Sequence, residues 1–99
     1  MRNYELMYII NTNVDDEKRL SIIEKYKQII LDNGGEVTNV EEWGKRRLAY
    51  EVKKNREGYY VLMNFRSSTE ACQELERLVK IDEAILKHLV VRLEDEKVS

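Results

Sequence analysis

Positive charge is concentrated in one short stretch of an otherwise acidic sequence. Residues 44–56 hold six basic side chains and one acidic one, a net charge of +5, whereas the rest of the 99 residues hold eleven basic and eighteen acidic ones, a net −7. Arg46 and Arg47 are adjacent, and guanidinium groups suit bidentate contacts with phosphate. Trp43 and Tyr50 lie beside them and can stack on bases. The stretch therefore predicts a phosphate-binding surface, because a local patch attracts polyanions whatever the total charge.

Basic residues on an exposed hairpin also have a second explanation. Lysine and arginine at a sheet edge prevent edge-to-edge aggregation, and by composition alone the two explanations are equally good. The arginine pair and its aromatic neighbours favour binding. Arg2, at the start of the first predicted strand, and Arg92, near the end of the last, can add charge at the rim of the sheet.

No pattern in the sequence is typical of catalysis, metal binding or a cofactor. His88 is the only histidine, and it has no acidic or nucleophilic neighbour in the sequence that would form a dyad. Cys72 is the only cysteine and falls on the apolar stripe of a predicted helix, where a small hydrophobe is expected. One cysteine and one histidine argue against a structural zinc site. We predict no catalytic residue, no metal ligand and no cofactor, and we predict that the protein is not an enzyme.

Composition predicts one domain over residues 1–93, followed by a short acidic tail at 94–99. Apolar residues make up 42% of the sequence and charged residues 36%, which argues against both a disordered chain and a membrane protein. No apolar run approaches the roughly 20 residues that a membrane-spanning helix needs. Residues 1–5 lack the pattern of a signal peptide. We therefore expect a cytoplasmic protein.

The periodicity of the apolar residues predicts the order strand, helix, strand, strand, helix, strand. This order is the split βαβ arrangement of the ferredoxin-like α+β fold, in which a four-stranded antiparallel sheet carries two helices on one face. Gly44 marks a bend within the second strand, and a capping box of Ser67 and Glu70 begins the second helix. The predicted elements are a strand at residues 4–10, a helix with an apolar stripe from Leu20 to Ile30, a hairpin of strands at 36–52 and 59–65 with a basic tip, a helix with an apolar stripe from Ala71 to Val79, and a last strand at 85–93.

One face of the predicted sheet has no helix to cover it. The first and third strands nevertheless carry apolar side chains on both sides. In the first strand, Met7 and Ile9 lie on one side, and the series Leu6, Tyr8 and Ile10 lies on the other. We expect the series that includes Ile10 and Phe65 to face the helices. The other series then forms an exposed apolar and aromatic surface, which is typical of a partner or ligand site.

Three blocks of the sequence resemble the bacterial small-subunit ribosomal protein S-six family. Met1–Glu5 matches its Met-Arg start, which is followed by Tyr-Glu at the entry to the first strand. Gly44–Tyr50 matches its glycine, basic pair and Leu-Ala-Tyr block, and Gly58–Tyr60 matches its Gly-Tyr opening of the third strand. The resemblance covers residues 1–93 in the same element order. This sequence departs from the family at Glu51, where many relatives have proline, and in its short acidic tail.

The resemblance implies a structural, non-enzymatic protein of the small ribosomal subunit, located in the cytoplasm at the ribosome. Its partners would be ribosomal protein S-eighteen and, as a heterodimer with that protein, the central domain of the small-subunit ribosomal RNA; no membrane, small-molecule substrate or cofactor is implied. The family's candidate RNA-facing positions correspond to Arg2, Tyr4, Lys45, Arg46, Arg47 and, more weakly, Arg92. From the apolar pattern we infer a protein-partner surface of Met7, Ile9, Leu48, Tyr50, Tyr60, Leu62 and Leu89.

Other functions occur on the same fold. The main alternative is a regulatory module that binds a small molecule, such as an amino acid, between two copies. A small hydrolase would need an arginine and an asparagine at a glycine-containing loop after the first strand, and no such loop is present. An RNA-recognition motif would need a basic-Gly-aromatic block on the third strand, which Tyr59–Phe65 lacks.

Overall fold

The structure, a computed structural model, describes residues 1–93. The predicted acidic tail at 94–99 lies outside the described residues. Six elements follow one another in the predicted order. They are β1 (Arg2–Asn11), α1 (Asp16–Asp32), β2 (Glu36–Val52), β3 (Asn55–Ser67), α2 (Thr69–Ile81) and β4 (Ile85–Leu93).

The four strands form one sheet in the order β2-β3-β1-β4, and every neighbouring pair is antiparallel. The first and fourth strands of the chain therefore lie side by side, although the whole hairpin and both helices separate them in sequence. This topology, with two helices on one face, confirms the predicted ferredoxin-like fold. We call the face opposite the helices the open face.

Alternate residues of β1 and β3 decide which face the helices cover. Leu6, Tyr8 and Ile10 are fully buried, and so are Met63 and Val61, which pair with the first two of them. They belong to one hydrophobic cluster that also contains buried residues of both helices. The predicted assignment of this series to the helix side is confirmed.

Helix α1 has a side-chain cap at its start and a glycine just beyond its end. The Asp15 side chain is the N-cap and accepts a hydrogen bond from the backbone N–H of Lys18 at 2.8 Å. Beyond the last turn Gly34 has a φ of 80°, the left-handed conformation that glycine adopts most readily. One position of the predicted stripe is wrong, because Leu20 is 50% exposed whereas Tyr26 is fully buried.

Helix α2 begins one residue later than its predicted cap. Ser68, not Ser67, is the N-cap, and its hydroxyl accepts from the backbone N–H of Ala71 at 3.1 Å. Ser67 is the last residue of β3, and strand alternation carries its side chain onto the helix face, where it is completely buried. Its hydroxyl donates to the carbonyl of Ser68 at 2.9 Å instead of capping the helix.

Candidate nucleic-acid and protein interfaces

The β2–β3 hairpin is distorted just beyond its arginine pair. Arg47 pairs with Glu57, and the next pair in register is Val52 with Asn55. Residues 48–51 of β2 therefore lie opposite a single residue of β3. Extra residues on one strand bend it out of the plane of the sheet. We call residues 48–51 the β2 bulge.

A smaller irregularity positions the aromatic side chain before the arginines. The register shifts between Glu42 and Gly44, which leaves Trp43 without a paired residue on β3. Gly44 has a φ of 85°, a conformation that a β-carbon disfavours. The bend predicted at Gly44 is therefore present.

Three consecutive basic side chains, Lys45, Arg46 and Arg47, are exposed between this bend and the β2 bulge. We call them the basic segment. The guanidinium of Arg46 lies over the ring of Trp43, 5.3 Å from its centroid, in a cation–π contact. Trp43 itself stays 40% exposed. None of the three cations forms a salt bridge within residues 1–93, so their charges are free to meet a polyanion.

The β2 bulge folds over the open face and reaches β4. Leu48 is only 8% exposed, because it packs on Ile9 of β1 and Leu86 of β4 in a second hydrophobic cluster. The ammonium of Lys87 donates to the Tyr50 hydroxyl and lies 4.8 Å from the centre of the Tyr50 ring. Side-chain contacts of Leu48 and Tyr50 therefore hold the β2 bulge against β1 and β4.

The β2 bulge and the open face together enclose an apolar cavity of about 340 Å³. An exposed apolar surface of this kind is typical of a site that binds a partner or a ligand. Six of the seven residues predicted as a protein-partner surface line it, and only Leu62 does not. The lining residues are Met7, Ile9, Leu48, Ala49, Tyr50, Val52, Tyr60, Lys87, His88 and Leu89.

Two residues that shape the cavity were not predicted. Lys87 pairs with Ile9 and lies on the cavity side by strand alternation, next to a register shift between Ile9 and Ile10 that leaves Leu86 unpaired. The side chain of Ile9 packs against the backbone of Gly58, and a β-carbon at Gly58 would come within 2.1 Å of the Ile9 Cγ2 atom. The glycine that opens the third strand was a signal for this close approach, because only glycine leaves room for a neighbouring side chain there.

A comparison with known families identifies the chain. The family model described as ribosomal protein S6 matches residues 3–92. The chain belongs to the ribosomal protein S6 family. This is a family of structural ribosomal proteins, which gives the chain a cytoplasmic location at the ribosome, as predicted.

Individual relatives match over nearly their full length. The small ribosomal subunit protein bS6 of Thermoanaerobacter pseudethanolicus is 50% identical over 95 residues, which is 96% of this chain and 100% of that protein. The bS6 protein of Carboxydothermus hydrogenoformans is 53% identical over 92 residues, with 93% and 96% covered. The crystal structure of 30S ribosomal protein S6 from Thermotoga maritima superimposes with a TM-score of 0.88 at 38% identity, covering 93% of this chain and 87% of that one.

The remaining candidate RNA-facing positions of the S6 family lie far from the basic segment. Arg46 pairs with Gly58 near the Asn11 end of β1, whereas Arg2 begins β1. The two ends of β1 are nine residue steps apart, about 30 Å at the usual rise per residue. Arg92 lies at the same far end as Arg2, since it pairs with residue 4. The structure therefore groups Arg2 with Arg92 but not with the arginine pair.

Tyr4 is a poor candidate for an RNA contact in this structure. Its side chain is 6% exposed and belongs to the core. Its ring is stacked on the ring of Phe65, with centroids 5.5 Å apart. A ring held in this way is not free to stack on a base.

The described residues contain no cluster typical of a metal site. Within residues 1–93 no group of three or more histidine, cysteine, aspartate and glutamate side chains could hold a metal ion, and no helix there is long and apolar enough to cross a membrane. Burial, with a smaller effect of Glu76, raises the pKa of the Cys72 thiol to about 11. The thiol is therefore protonated at neutral pH, and a protonated thiol is a poor nucleophile.

Proposed function

We propose that this chain is a structural, non-catalytic component of the small ribosomal subunit that binds the central domain of the small-subunit ribosomal RNA together with ribosomal protein S-eighteen. The observation that carries the proposal is that β2 contains two different surfaces, one after the other. Its basic segment is exposed and unpaired within residues 1–93, and the residues that follow line the apolar cavity. One strand thus offers a surface that can bind a polyanion and, directly after it, a surface that can bind a protein.

The RNA contact in this proposal is electrostatic. Lys45, Arg46 and Arg47 would neutralise phosphates and release counterions, so affinity should fall as the salt concentration rises. Trp43 stays partly exposed beside them and can support the contact by stacking. Shape and backbone recognition suits this arrangement better than reading of a base sequence, because the exposed groups are mostly cations.

The protein contact in this proposal is apolar. The cavity on the open face would bury a partner's side chains, with Met7, Tyr60 and Leu89 among its walls. The side chain of Leu89, for example, is 54% exposed in the free chain. Covering such groups favours association, because it removes apolar area from water. The free chain should therefore bind RNA weakly, and the heterodimer should bind it well.

Membership of the S6 family also favours this function over the small-molecule regulatory module. The lining of the cavity supports the same choice, since its walls are predominantly hydrocarbon and aromatic. An amino acid would bring an ammonium group, and no carboxylate lies among the residues that line the cavity to pair with it.

A charge-reversal experiment tests the RNA contact. The double variant Arg46→Glu with Arg47→Glu should abolish retention of central-domain RNA by the heterodimer with S-eighteen, because phosphate contacts are replaced by repulsion. The measurement is a filter-binding titration at several salt concentrations, with circular dichroism to show that the fold is intact.

The matched control is Lys18→Glu with Lys25→Glu, which makes the same charge change on exposed positions of α1. This control should bind RNA within about twofold of the wild type, since charges beyond a Debye length of about 10 Å are screened. Equal affinities and equal salt slopes for wild type and the arginine variant would contradict the proposal.

A further inference from the structure

The β2 bulge borders a second, separate hollow between β2 and β3. Residues 48–51 of β2 lie opposite the single residue Arg56 of β3, so β2 arches away from its neighbour there. The arch leaves an open space of about 330 Å³, which we call the hairpin hollow. It begins at the last residue of the basic segment and therefore continues the surface that we propose for RNA. Its lining residues are Arg47, Leu48, Tyr50, Glu51 and Arg56.

Contacts on both sides of the arch hold the hairpin hollow in place. Leu48 is anchored in the second hydrophobic cluster. Beyond the arch, the ammonium of Lys53 donates to the backbone carbonyl of Ile85 at 3.3 Å. Lys53 and Lys54 form the tip of the hairpin with φ values of 48° and 65°, the positive values that a tight two-residue turn requires. The position of Arg56, two residues after this turn, is thereby fixed relative to the arch.

The charged side chains of the hairpin hollow have no partners within residues 1–93. Arg47, Glu51 and Arg56 are exposed, and none of them forms a salt bridge or a side-chain hydrogen bond there. A site for phosphate alone would gain nothing from Glu51, because a carboxylate repels phosphate. The hollow therefore suits a ligand that is an anion at one point and a hydrogen-bond donor at another.

Tyr50 adds an aromatic surface to this set of charges. Its side chain is 60% exposed and lines both the hairpin hollow and the apolar cavity. Lys87, which contacts the Tyr50 ring, lies on the cavity side. An aromatic ring has two faces, so the face toward the hollow is open for a nucleic-acid base to stack on.

Guanine is the base whose hydrogen-bonding edge matches this arrangement. Its N1–H and its N2 amino group are adjacent donors, and the two oxygens of one carboxylate can accept from both. Adenine, cytosine and uracil each place an acceptor beside the donor on that edge, and a carboxylate repels an acceptor. The edge is accessible only in an unpaired nucleotide. The phosphate of the same nucleotide is an anion that guanidinium groups pair well.

We propose that the hairpin hollow binds one unpaired guanosine nucleotide of the RNA. Glu51 accepts hydrogen bonds from the guanine edge, and Tyr50 stacks on the base. Arg47 and Arg56 pair with the phosphate. This inference rests on the proposed function and deepens it, because it names a nucleotide that the RNA supplies next to the basic segment. The basic segment itself holds only cations and does not select a base.

Base selection is tested with the full chain and short single-stranded RNAs. Each RNA consists of uridines around one central guanosine, adenosine or cytidine. Chemical-shift titrations of the labelled chain also measure weak binding. They should show the guanosine RNA binding about tenfold more tightly than the other two, as expected for one bidentate contact with a base. The largest shifts should fall at residues 47–56. Equal affinities for the three RNAs would overturn the inference.

A pair of glutamate variants tests the role of the carboxylate. Glu51→Gln should reduce the preference for guanosine to less than about twofold, because an amide has a single acceptor oxygen. The variant also removes a negative charge and should bind all three RNAs more tightly, so the readout is the ratio of affinities. The matched control is Glu57→Gln, the same change at an exposed residue that pairs with Arg47 but does not line the hollow. The control should keep the preference. A preference that survives in Glu51→Gln, or that is lost in the control, would overturn the inference.

An arginine variant tests the phosphate contact separately. Arg56→Gln should weaken binding of all three RNAs by a similar factor and lower the salt slope by about 1, while the guanosine preference remains. An unchanged affinity with an unchanged salt slope would contradict the assignment of Arg56 to the phosphate.

Two further measurements identify the source of the nucleotide and separate this inference from the proposed function. Free GMP shares the chemistry but lacks neighbouring phosphates, so it should bind more weakly than the guanosine RNA; equal affinities would overturn RNA as the source. The titrations contain no S-eighteen. If the heterodimer fails to retain central-domain RNA while the guanosine preference is present, only the proposed function fails. If retention is normal and the preference is absent, only this inference fails.

Discussion

Two tyrosines at the centre of the core differ in one hydrogen bond. The rings of Tyr8 and Tyr26 meet edge to face with centroids 5.2 Å apart, and both side chains are fully buried. The Tyr26 hydroxyl donates to Asp82 Oδ2 at 2.6 Å. The Tyr8 hydroxyl has no hydrogen-bond partner within residues 1–93. A buried hydroxyl without a partner costs free energy, whereas a paired one contributes modestly to stability.

Removing each hydroxyl should therefore have opposite effects. Tyr8→Phe should raise the free energy of unfolding by about 1 kcal/mol, because it removes an unpaired polar group from the core. Tyr26→Phe makes the same chemical change and should lower the free energy of unfolding by about 1 kcal/mol, because it breaks a hydrogen bond. Urea denaturation at neutral pH measures both. A loss of stability in Tyr8→Phe as large as in Tyr26→Phe would show that the first hydroxyl is paired after all.

Both tyrosines should also affect the stability of the chain in alkaline solution. Burial, with a smaller effect of Glu42, raises the pKa of Tyr8 above its ordinary value of 10.0. Burial and then the hydrogen bond to Asp82 raise the pKa of Tyr26. The unfolded chain therefore loses these protons first, so the stability that they contribute is complete below pH 10 and falls as the pH rises further. Tyr8→Phe should make that fall less steep, which denaturation at a series of pH values would measure.

At the scale of elements, β2 determines how the two candidate surfaces are related. The strand forms a regular ladder with β3 as far as Arg47, apart from the irregularities near Val37 and Trp43. It then leaves the ladder at the β2 bulge, and Leu48 anchors the bulge to Ile9 and Leu86. This anchor is separate from the main cluster under the helices. Loss of the anchor should therefore free the bulge without loosening the core.

Hydrogen exchange should detect this local effect. Leu48→Ala removes the buried anchor and should lower the free energy of unfolding by about 2 kcal/mol, near the lower end for buried leucines. Amide exchange should accelerate most at residues 48–52 and little in β1. The matched control is Leu20→Ala, the same change at a half-exposed leucine of α1, which should cost less than about 0.5 kcal/mol. Uniform acceleration across the sheet in Leu48→Ala would contradict a separate anchor.

The whole molecule is asymmetric about its sheet. Both helices and the main cluster lie on one side, and the other side carries the second cluster, the cavity and exposed groups such as Leu89 and Val91. A partner that covers this side binds the folded chain and not the unfolded one. Such binding adds to stability by mass action.

If the open face binds ribosomal protein S-eighteen, as the proposed function requires, that protein should raise the melting temperature of the chain. At a free concentration of about 100 times Kd the gain is about 2.7 kcal/mol, which corresponds to roughly 10–20 °C for a domain of this size. Leu89→Gln changes an exposed wall of the cavity and should leave the free chain's melting temperature unchanged while reducing the shift. Scanning calorimetry measures both, and an equal shift in the variant would mean that the partner docks elsewhere.

Several features were predictable because they depend on residues near one another in sequence. The alternation that ends in Ile10 and Phe65 identified the buried side of the sheet, since a two-residue period admits only two assignments. The charge of residues 44–56 identified the basic hairpin. The cap at Ser67 and the burial of Leu20 were wrong because each depended on where a neighbouring element ends or packs. Strand alternation at the end of β3 buried Ser67 and left Ser68 to cap α2.

The sequence alone determined the element order, the helix side of the sheet and the location of the cations, because period and composition are local properties of the chain. Only the tertiary structure decided that Leu48 folds back onto Ile9 and Leu86, that Lys87 holds Tyr50, and that Arg2 and Arg92 lie about 30 Å from the arginine pair. Those relations depend on strand register and bulges, which bring together residues up to 77 positions apart in the second cluster, from Ile9 to Leu86. Their energy comes from contacts that exist only once β1, β2 and β4 have assembled.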